Sequence, residues 1–206
     1  MRESYQDSNT PPSEQKTGWD EIGEQSKQSS EMHFSPIGEK DIQTIADLEK
    51  QLYNEETLQY QDHVFLEEIL DEPESEKYSF IMEGQVDGAS KPVGYCLAYD
   101  AEPMSDPDFK GKTAYIADFG IIPEARLGIN PALESFNELL SRTEENGVDM
   151  IEMETRQDTS YRMFSSKYVQ RILARRGYTV TDHGVSDNEW EDGDVTYLIS
   201  IRKKAA

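Results

Sequence analysis

The sequence predicts an α/β fold, a mixed sheet with helices on both faces, and three observations carry that prediction. In the second half, apolar strand runs alternate with amphipathic helical stretches in the order β-α-β-α-β. Such units set neighbouring strands parallel through right-handed crossovers. In the first half, two strand runs flank Asp87-Gly88, a pair that suits a hairpin turn between antiparallel partners. Between the halves, residues 113–147 run from an apolar strand through a Pro/Arg/Gly turn into a helix.

The elements follow in order. Residues 1–31 hold almost no aliphatic side chains and are rich in Ser, Gln, Glu and Pro. Such a stretch buries too little surface to order itself and is expected to be a disordered polar arm. Residues 32–203 remain for one domain, and a chain of 206 residues is long enough for one full core and short for two. Residues 33–37 form a first strand ended by Gly38. Asp41 caps a helix whose Ile42, Ile45, Leu48 and Leu52 keep helical spacing. A second helix over 62–70 turns Val64, Phe65, Ile69 and Leu70 inward and ends in Asp71-Glu72-Pro73-Glu74-Ser75. Strands are expected at 78–83 and 92–99, with the turn at 85–91. A polar loop over 101–112 leads to a strand at 115–122, a loop at 123–130, and a helix from Pro131 with Leu133, Phe136, Leu139 and Leu140 on one face. Asn146-Gly147 suits a left-handed C-cap. A strand at 148–154, a helix over 161–176 stopped by Gly177, and strands at 178–181 and 195–201 complete the sheet.

Charge narrows the partners. The chain carries 42 acidic against 20 basic residues, a net charge of −22. That field repels nucleic acid and anionic membranes and attracts cations, so neither nucleic acid nor membrane is an expected partner. It serves solubility equally well. Residues 51–76 hold no Lys or Arg but nine acids, whereas 156–176 hold six bases and one acid. This polarity suits a grip on an anionic cofactor at one side and on a cationic acceptor at the other; solvated helix faces give the same counts. No apolar run of 18 residues is present, and no apolar leader opens the chain. The single Cys96 excludes an internal disulfide, and a cytoplasmic setting is expected. His33, His63 and His183 are scattered without metal-ligand spacing, so no metal is expected.

A strand that feeds a glycine-bearing turn and then a helix start aims backbone N–H groups and a positive dipole end at one point, a geometry that binds phosphate. The turn is Pro123-Glu124-Ala125-Arg126-Leu127-Gly128-Ile129-Asn130. Asp118 is the one charge in its apolar strand. Burying a lone carboxylate is costly, so Asp118 meets a polar pocket, a partner or solvent at the strand end. Cys96, within an apolar strand, is expected to be packed.

Two stretches carry a family resemblance: Tyr115-Ile116-Ala117-Asp118-Phe119-Gly120-Ile121-Ile122-Pro123-Glu124-Ala125-Arg126 and Arg175-Arg176-Gly177-Tyr178. The first resembles the fourth strand, Pro-Glu-x-Arg corner and pyrophosphate loop of the GNAT acyltransferase superfamily. The second resembles that family's helix end and the Gly-Phe/Tyr start of its next strand. The resemblance covers about 32–203, and residues 45–95 are loosely similar to acetyltransferases of protein N-terminal amines. It implies a mostly antiparallel sheet with a parallel pair at its splayed centre. It also implies acetyl transfer from acetyl-CoA to a primary amine: a peptide N-terminus, a lysine or a polyamine. On the same footing, Arg126, Leu127, Gly128, Ile129 and Asn130 would hold the pyrophosphate, and Phe119, Gly120 and Ile121 would lie along the pantetheine arm. Ser166 stands where the family often has a cofactor-contacting Asn. Asp118 would be a general base or an anchor for a cationic amine, and Glu55 and Glu56 would line the acceptor site.

The chain departs from the pattern in three ways. The loop is one residue shorter than the family's Arg/Gln-x-x-Gly-x-Gly/Ala. Its second small residue is Asn130, and Pro131 removes a further N–H donor. Leu173 replaces the family's frequent Tyr four residues before the helix-ending Gly, so an acid for the leaving thiolate would come from Tyr168 or Tyr161. A GNAT-shaped module without catalysis stays open beside the enzyme.

Overall fold

The apolar stripe Ile42, Ile45, Leu48 and Leu52 does form one face of a helix, α1 (Ile42–Leu52), with Gly38 and Asp41 starting the preceding turn. The computed structural model describes residues 32–52, 63–125, 130–156, 159–186 and 196–204. The arm, Glu55 and Glu56, and Arg126 to Ile129 lie outside the described residues. The remaining helices are α2 (His63–Asp71), α3 (Ser75–Tyr78), α4 (Asn130–Glu145), α5 (Thr159–Ser165) and α6 (Lys167–Arg175). The strands are β1 (His33–Pro36), β2 (Phe80–Val86), β3 (Ala89–Asp100), β4 (Thr113–Ile121), β5 (Met150–Arg156), β6 (Tyr178–Val185) and β7 (Thr196–Lys203).

They form one sheet in the order β1-β2-β3-β4-β5-β7-β6. β4 and β5 are its parallel pair, and the other pairings are antiparallel. The β-α-β-α-β pattern thus yields one parallel neighbour pair rather than two. β7 returns from the chain's end to lie between β5 and β6, where it pairs with both. Helix α1 lies on the face carrying Tyr95 and Gly120, and α4 packs its Ser135 against Met82 on the other. Leu139 and Leu140 of α4 are fully buried, and the Phe136 and Phe164 rings meet edge-on at 5.1 Å.

Local chemistry explains the boundaries. Asp87 and Gly88 both take positive φ (54° and 79°), so the turn is two residues long and the ladder runs to Val86↔Ala89. Such a primed turn matches strand twist, which is why the strands reach further into 85–91 than the polar composition suggests. Two differences concern helices. The acidic cluster that ends α2 leads into the extra turn α3, fixed by Tyr78, whose hydroxyl donates to Asp100 at 2.7 Å. The helix expected over 161–176 is broken at Ser166. Its backbone is extended (ψ 135°), and its hydroxyl accepts the Val169 N–H at 3.2 Å as the N-cap of α6.

Candidate active site

The parallel ladder between β4 and β5 is four residues long. It runs from Thr113↔Met150 to Ile116↔Met153 and stops. Beyond it, β4 continues to Ile121 along β3, while β5 continues to Arg156 along β7. The sheet therefore opens at its centre into a cleft between residues 117–121 and 154–156. A β-bulge marks the opening: Leu97 faces Asp118 and Ala98 faces Ile116, leaving Ala117 without a counterpart. In a regular strand Tyr115 and Asp118, three residues apart, point to opposite faces. The extra residue brings both to the α1 face, in line with Tyr99, Leu97 and Tyr95 of β3.

Asp118 is thus held at the lip of the cleft. Its Oδ2 accepts the Tyr95 hydroxyl at 2.6 Å, and its Oδ1 accepts the Phe119 N–H at 2.7 Å. Behind it, α1 contributes Glu49, 1% exposed, whose two carboxylate oxygens have no close hydrogen-bond donor among the described residues. Burial pushes the Glu49 carboxyl up to about 8; the negative charge of Asp118 adds to the rise, and the Tyr95 hydroxyl draws it partly back. On the opposite lip, Glu154 of β5 accepts Tyr115 Oη at 3.4 Å and the Ser186 hydroxyl. Burial, helped by the charge of Glu154, raises the Tyr115 phenol above its ordinary value. A fourth carboxylate is structural. Glu152 is fully buried and accepts the N–H groups of Met104 and Ser105 at 2.7 and 2.9 Å, which fastens the 101–112 loop to β5.

The end of β4 is fixed by Ile122 N–H to Val93 C=O at 2.8 Å, and a turn, Pro123–Ala125, follows. Helix α4 then begins at Asn130, with buried Pro131 in its first turn. The strand, corner and helix start expected from the sequence are therefore in place, and the four residues that join them, 126–129, lie outside the described part.

Other sequence-derived candidates are distributed as follows. Phe119 is half-buried beside the core, and Gly120 and Ile121 are buried at the cleft edge. The bare Cα of Gly120 makes room for α1: a Cβ there would stand 2.3 Å from Leu52 Cδ1. Tyr161 donates to Asp182 Oδ2 at 2.7 Å, and that bond, with burial, raises its phenol to about 12. Its ring lies on Tyr197 at 4.5 Å. Tyr168 packs half-buried on the core, and Ser166 spends its hydroxyl on the helix cap. Cys96 is fully buried, and burial raises its thiol well above the ordinary value, which disfavours a thiolate. Among the described residues no group of three or more His, Cys, Asp or Glu is placed to hold a metal ion, and no helix is long and apolar enough to cross a membrane.

Glu49, Tyr95, Tyr115 and Glu154 were not singled out in the sequence. Glu49 had a visible signal: it stands four residues after Ile45 and three before Leu52, inside the apolar stripe of an amphipathic helix.

The sequence matches no protein-family model and no curated protein. Solved structures do match the architecture. A chain of the NatC complex bound to Gag peptide and CoA superposes with a TM-score of 0.60 at 11% identity, covering 84% of this chain and 98% of that one. Diaminobutyrate acetyltransferase EctA from Paenibacillus lautus, in complex with L-2,4-diaminobutyric acid and coenzyme A, gives 0.58 at 15% identity over 84% and 96%. Arabidopsis thaliana Naa50 with the bisubstrate analogue CoA-Ac-MVNAL gives 0.54 at 15% over 82% and 97%. The chain has the GNAT fold, with the mixed, mostly antiparallel sheet and central parallel pair of that architecture.

Proposed function

We propose that this protein is an acetyl-CoA-dependent N-acetyltransferase acting on a primary amine. The observation that carries the reading is the β4–β5 cleft, open beyond Ile116↔Met153, with carboxylates on both lips. A strand edge left without a ladder offers backbone groups to an extended ligand, as the pantetheine arm of CoA is. The corner at Pro123–Ala125 and the start of α4 stand at the end of β4, where a diphosphate would meet helix N–H groups. Proteins of similar structure bind CoA together with peptide or amine ligands.

The chemistry asks for little beyond placement and proton handling. The thioester is already activated, and the attacking nitrogen must lose a proton. Asp118 and Glu154 flank the cleft and are the candidate bases, directly or through water. No cysteine relay is needed, and buried Cys96 is unsuited to one. The acceptor belongs among peptide N-termini, lysine side chains and polyamines, and the strongly acidic surface favours a cationic one in a cytoplasmic setting.

Calorimetric titration with acetyl-CoA, followed by thiol release in the presence of peptide, polyamine and small-amine panels, tests the reading. Saturable binding and amine-dependent thiol release are expected. No binding at millimolar acetyl-CoA ends it. If it holds, Asp118→Asn lowers kcat and moves its amine pH dependence upward; an unchanged pH profile removes Asp118 from the mechanism.

A further inference from the structure

The two faces of the sheet differ in chemistry where the cleft closes. The closing pair is Ile116↔Met153, the last step of the parallel ladder. Tyr115 and Glu154, their neighbours along the two strands, meet on the α1 face, so Ile116 and Met153 point to the α4 face. Ala98 of β3 and Ile199 of β7 continue that row. Four adjacent strands thus present Ala98, Ile116, Met153 and Ile199 side by side, each no more than 7% exposed. On the α1 face the same end of the cleft carries Asp118, Tyr115 and Glu154. One wall is polar and the other is apolar and filled.

Length fixes which part of a donor reaches this end. A pantetheine arm is about as long as four residues of extended chain. With its diphosphate at the start of α4, the arm runs back along β4 from Ile121 and brings the thioester to Ala117, beside the closing pair. Attack on a thioester comes from above or below its plane. An amine delivered from the carboxylate-bearing α1 face therefore sets that plane parallel to the sheet, with the acyl group pointing at the closed end. A methyl fits in the plane. Atoms beyond it must turn, and the α1 face is taken by the incoming amine, so they turn onto the α4 face, where Ile116 and Met153 stand.

We propose that Ile116 and Met153 gauge the donor's acyl chain, admitting acetyl and excluding chains with further methylenes. This deepens the acetyltransferase reading and rests on it. Protein interiors are close-packed, and adding methylenes to a filled site drives side chains off their rotamers. The gauge leaves the chemistry as it is: the C–N bond forms and the C–S bond breaks, one proton of the attacking ammonium passing to the polar wall and a second to the leaving thiolate. It acts on which donor is seated, before any proton moves.

The experiment is calorimetric titration of the full chain with CoA, acetyl-CoA and butyryl-CoA, with no amine present, so that affinity is read without turnover. The wild-type chain is expected to bind acetyl-CoA about tenfold or more tightly than butyryl-CoA, the scale of an overpacked site. Met153→Ala frees the space that the extra methylenes of butyryl need. Checked for native folding by circular dichroism, it should erase the gap between the two thioesters while CoA itself binds as before. Ile116→Val, a smaller change, should narrow the gap in the same direction. Equal wild-type affinity for acetyl-CoA and butyryl-CoA overturns the gauge whether or not a variant folds. So does an unchanged gap in a Met153→Ala chain that still binds CoA. The two readings fail distinguishably. No saturable binding of CoA or of either thioester removes the transferase reading and the gauge with it. Equal binding of both thioesters, with thiol release once an amine is added, removes the gauge alone.

Discussion

Replacing Glu49 by Gln should change how stability depends on pH, in a direction set by burial. The folded carboxyl keeps its proton up to about pH 8, whereas the unfolded one loses it near its ordinary 4.5. Between those values the unfolded chain binds fewer protons than the folded one, so wild-type stability falls as pH rises. The contribution is fully present below pH 4.5 and is lost through the window up to about 8. Each pH unit inside the window is worth about 1.4 kcal/mol. From pH 5.5 to 7.5 the wild-type chain should lose about 2–3 kcal/mol that the Gln variant keeps. The whole-chain repulsion from a net charge of −22 also changes over this range, but nearly equally in both proteins, and it drops out of the difference. Urea unfolding followed by far-ultraviolet circular dichroism at several pH values gives the two curves. They should diverge, the variant gaining on the wild type as pH rises. Parallel curves would refute the idea that Glu49 is buried beside the charge of Asp118. Asp118→Asn supplies a second check: removing the neighbouring charge lowers the Glu49 carboxyl and should flatten the wild-type slope.

Further outcomes follow from the same geometry and, for Arg126, from the sequence. Gly94→Ala places a Cβ 2.3 Å from the Gly120 carbonyl oxygen, a backbone atom, so β3 and β4 must part at the cleft; a loss of about 1–3 kcal/mol in urea unfolding is expected. Gly120→Ala meets only the tip of Leu52 and should cost less, and the reverse order would contradict the packing of α1. Ser166→Ala removes the cap of α6 and should lower stability by about 1 kcal/mol with the acetyl-CoA KM unchanged; a raised KM would give Ser166 the cofactor contact that its sequence position suggests. Arg126→Ala, argued from the sequence because residue 126 lies outside the described part, should raise the acetyl-CoA KM about tenfold for one lost charge-assisted phosphate contact. An unaltered KM would put the pyrophosphate elsewhere.

The strand-turn-helix over 113–147 was legible because it is written in local chemistry. An apolar run, a Pro corner and an Asn-Pro helix start each act within a few residues. Asp118 was visible as a lone charge among apolar neighbours, and the structure places it at the cleft on the strength of a bulge that no residue type announces. Glu49 was legible only in part. Its helix was correctly framed by Ile42, Ile45, Leu48 and Leu52, and its place inside that stripe was a signal, but the depth of the stripe against β3 and β4 is set only by the tertiary fold. Glu154 and Tyr115 lie 39 positions apart and form a pair only because the parallel ladder sets their strands side by side. The single helix expected over 161–176 failed at Ser166, where a hydroxyl bonding its own backbone three residues on outweighs helical periodicity.

By itself the sequence determined most of the helical stripes, the presence of a hairpin turn at Asp87-Gly88 and the succession of strands along the chain, because periodicity and turn stereochemistry act over short stretches of chain. Tertiary structure alone decided that β7 enters between β5 and β6, that β4 and β5 part after four pairs, and that Glu49 lies close enough to Asp118 to feel its charge. Those outcomes depend on which distant segments compete for a strand edge or a patch of buried surface, and that competition is resolved only when the whole sheet has formed.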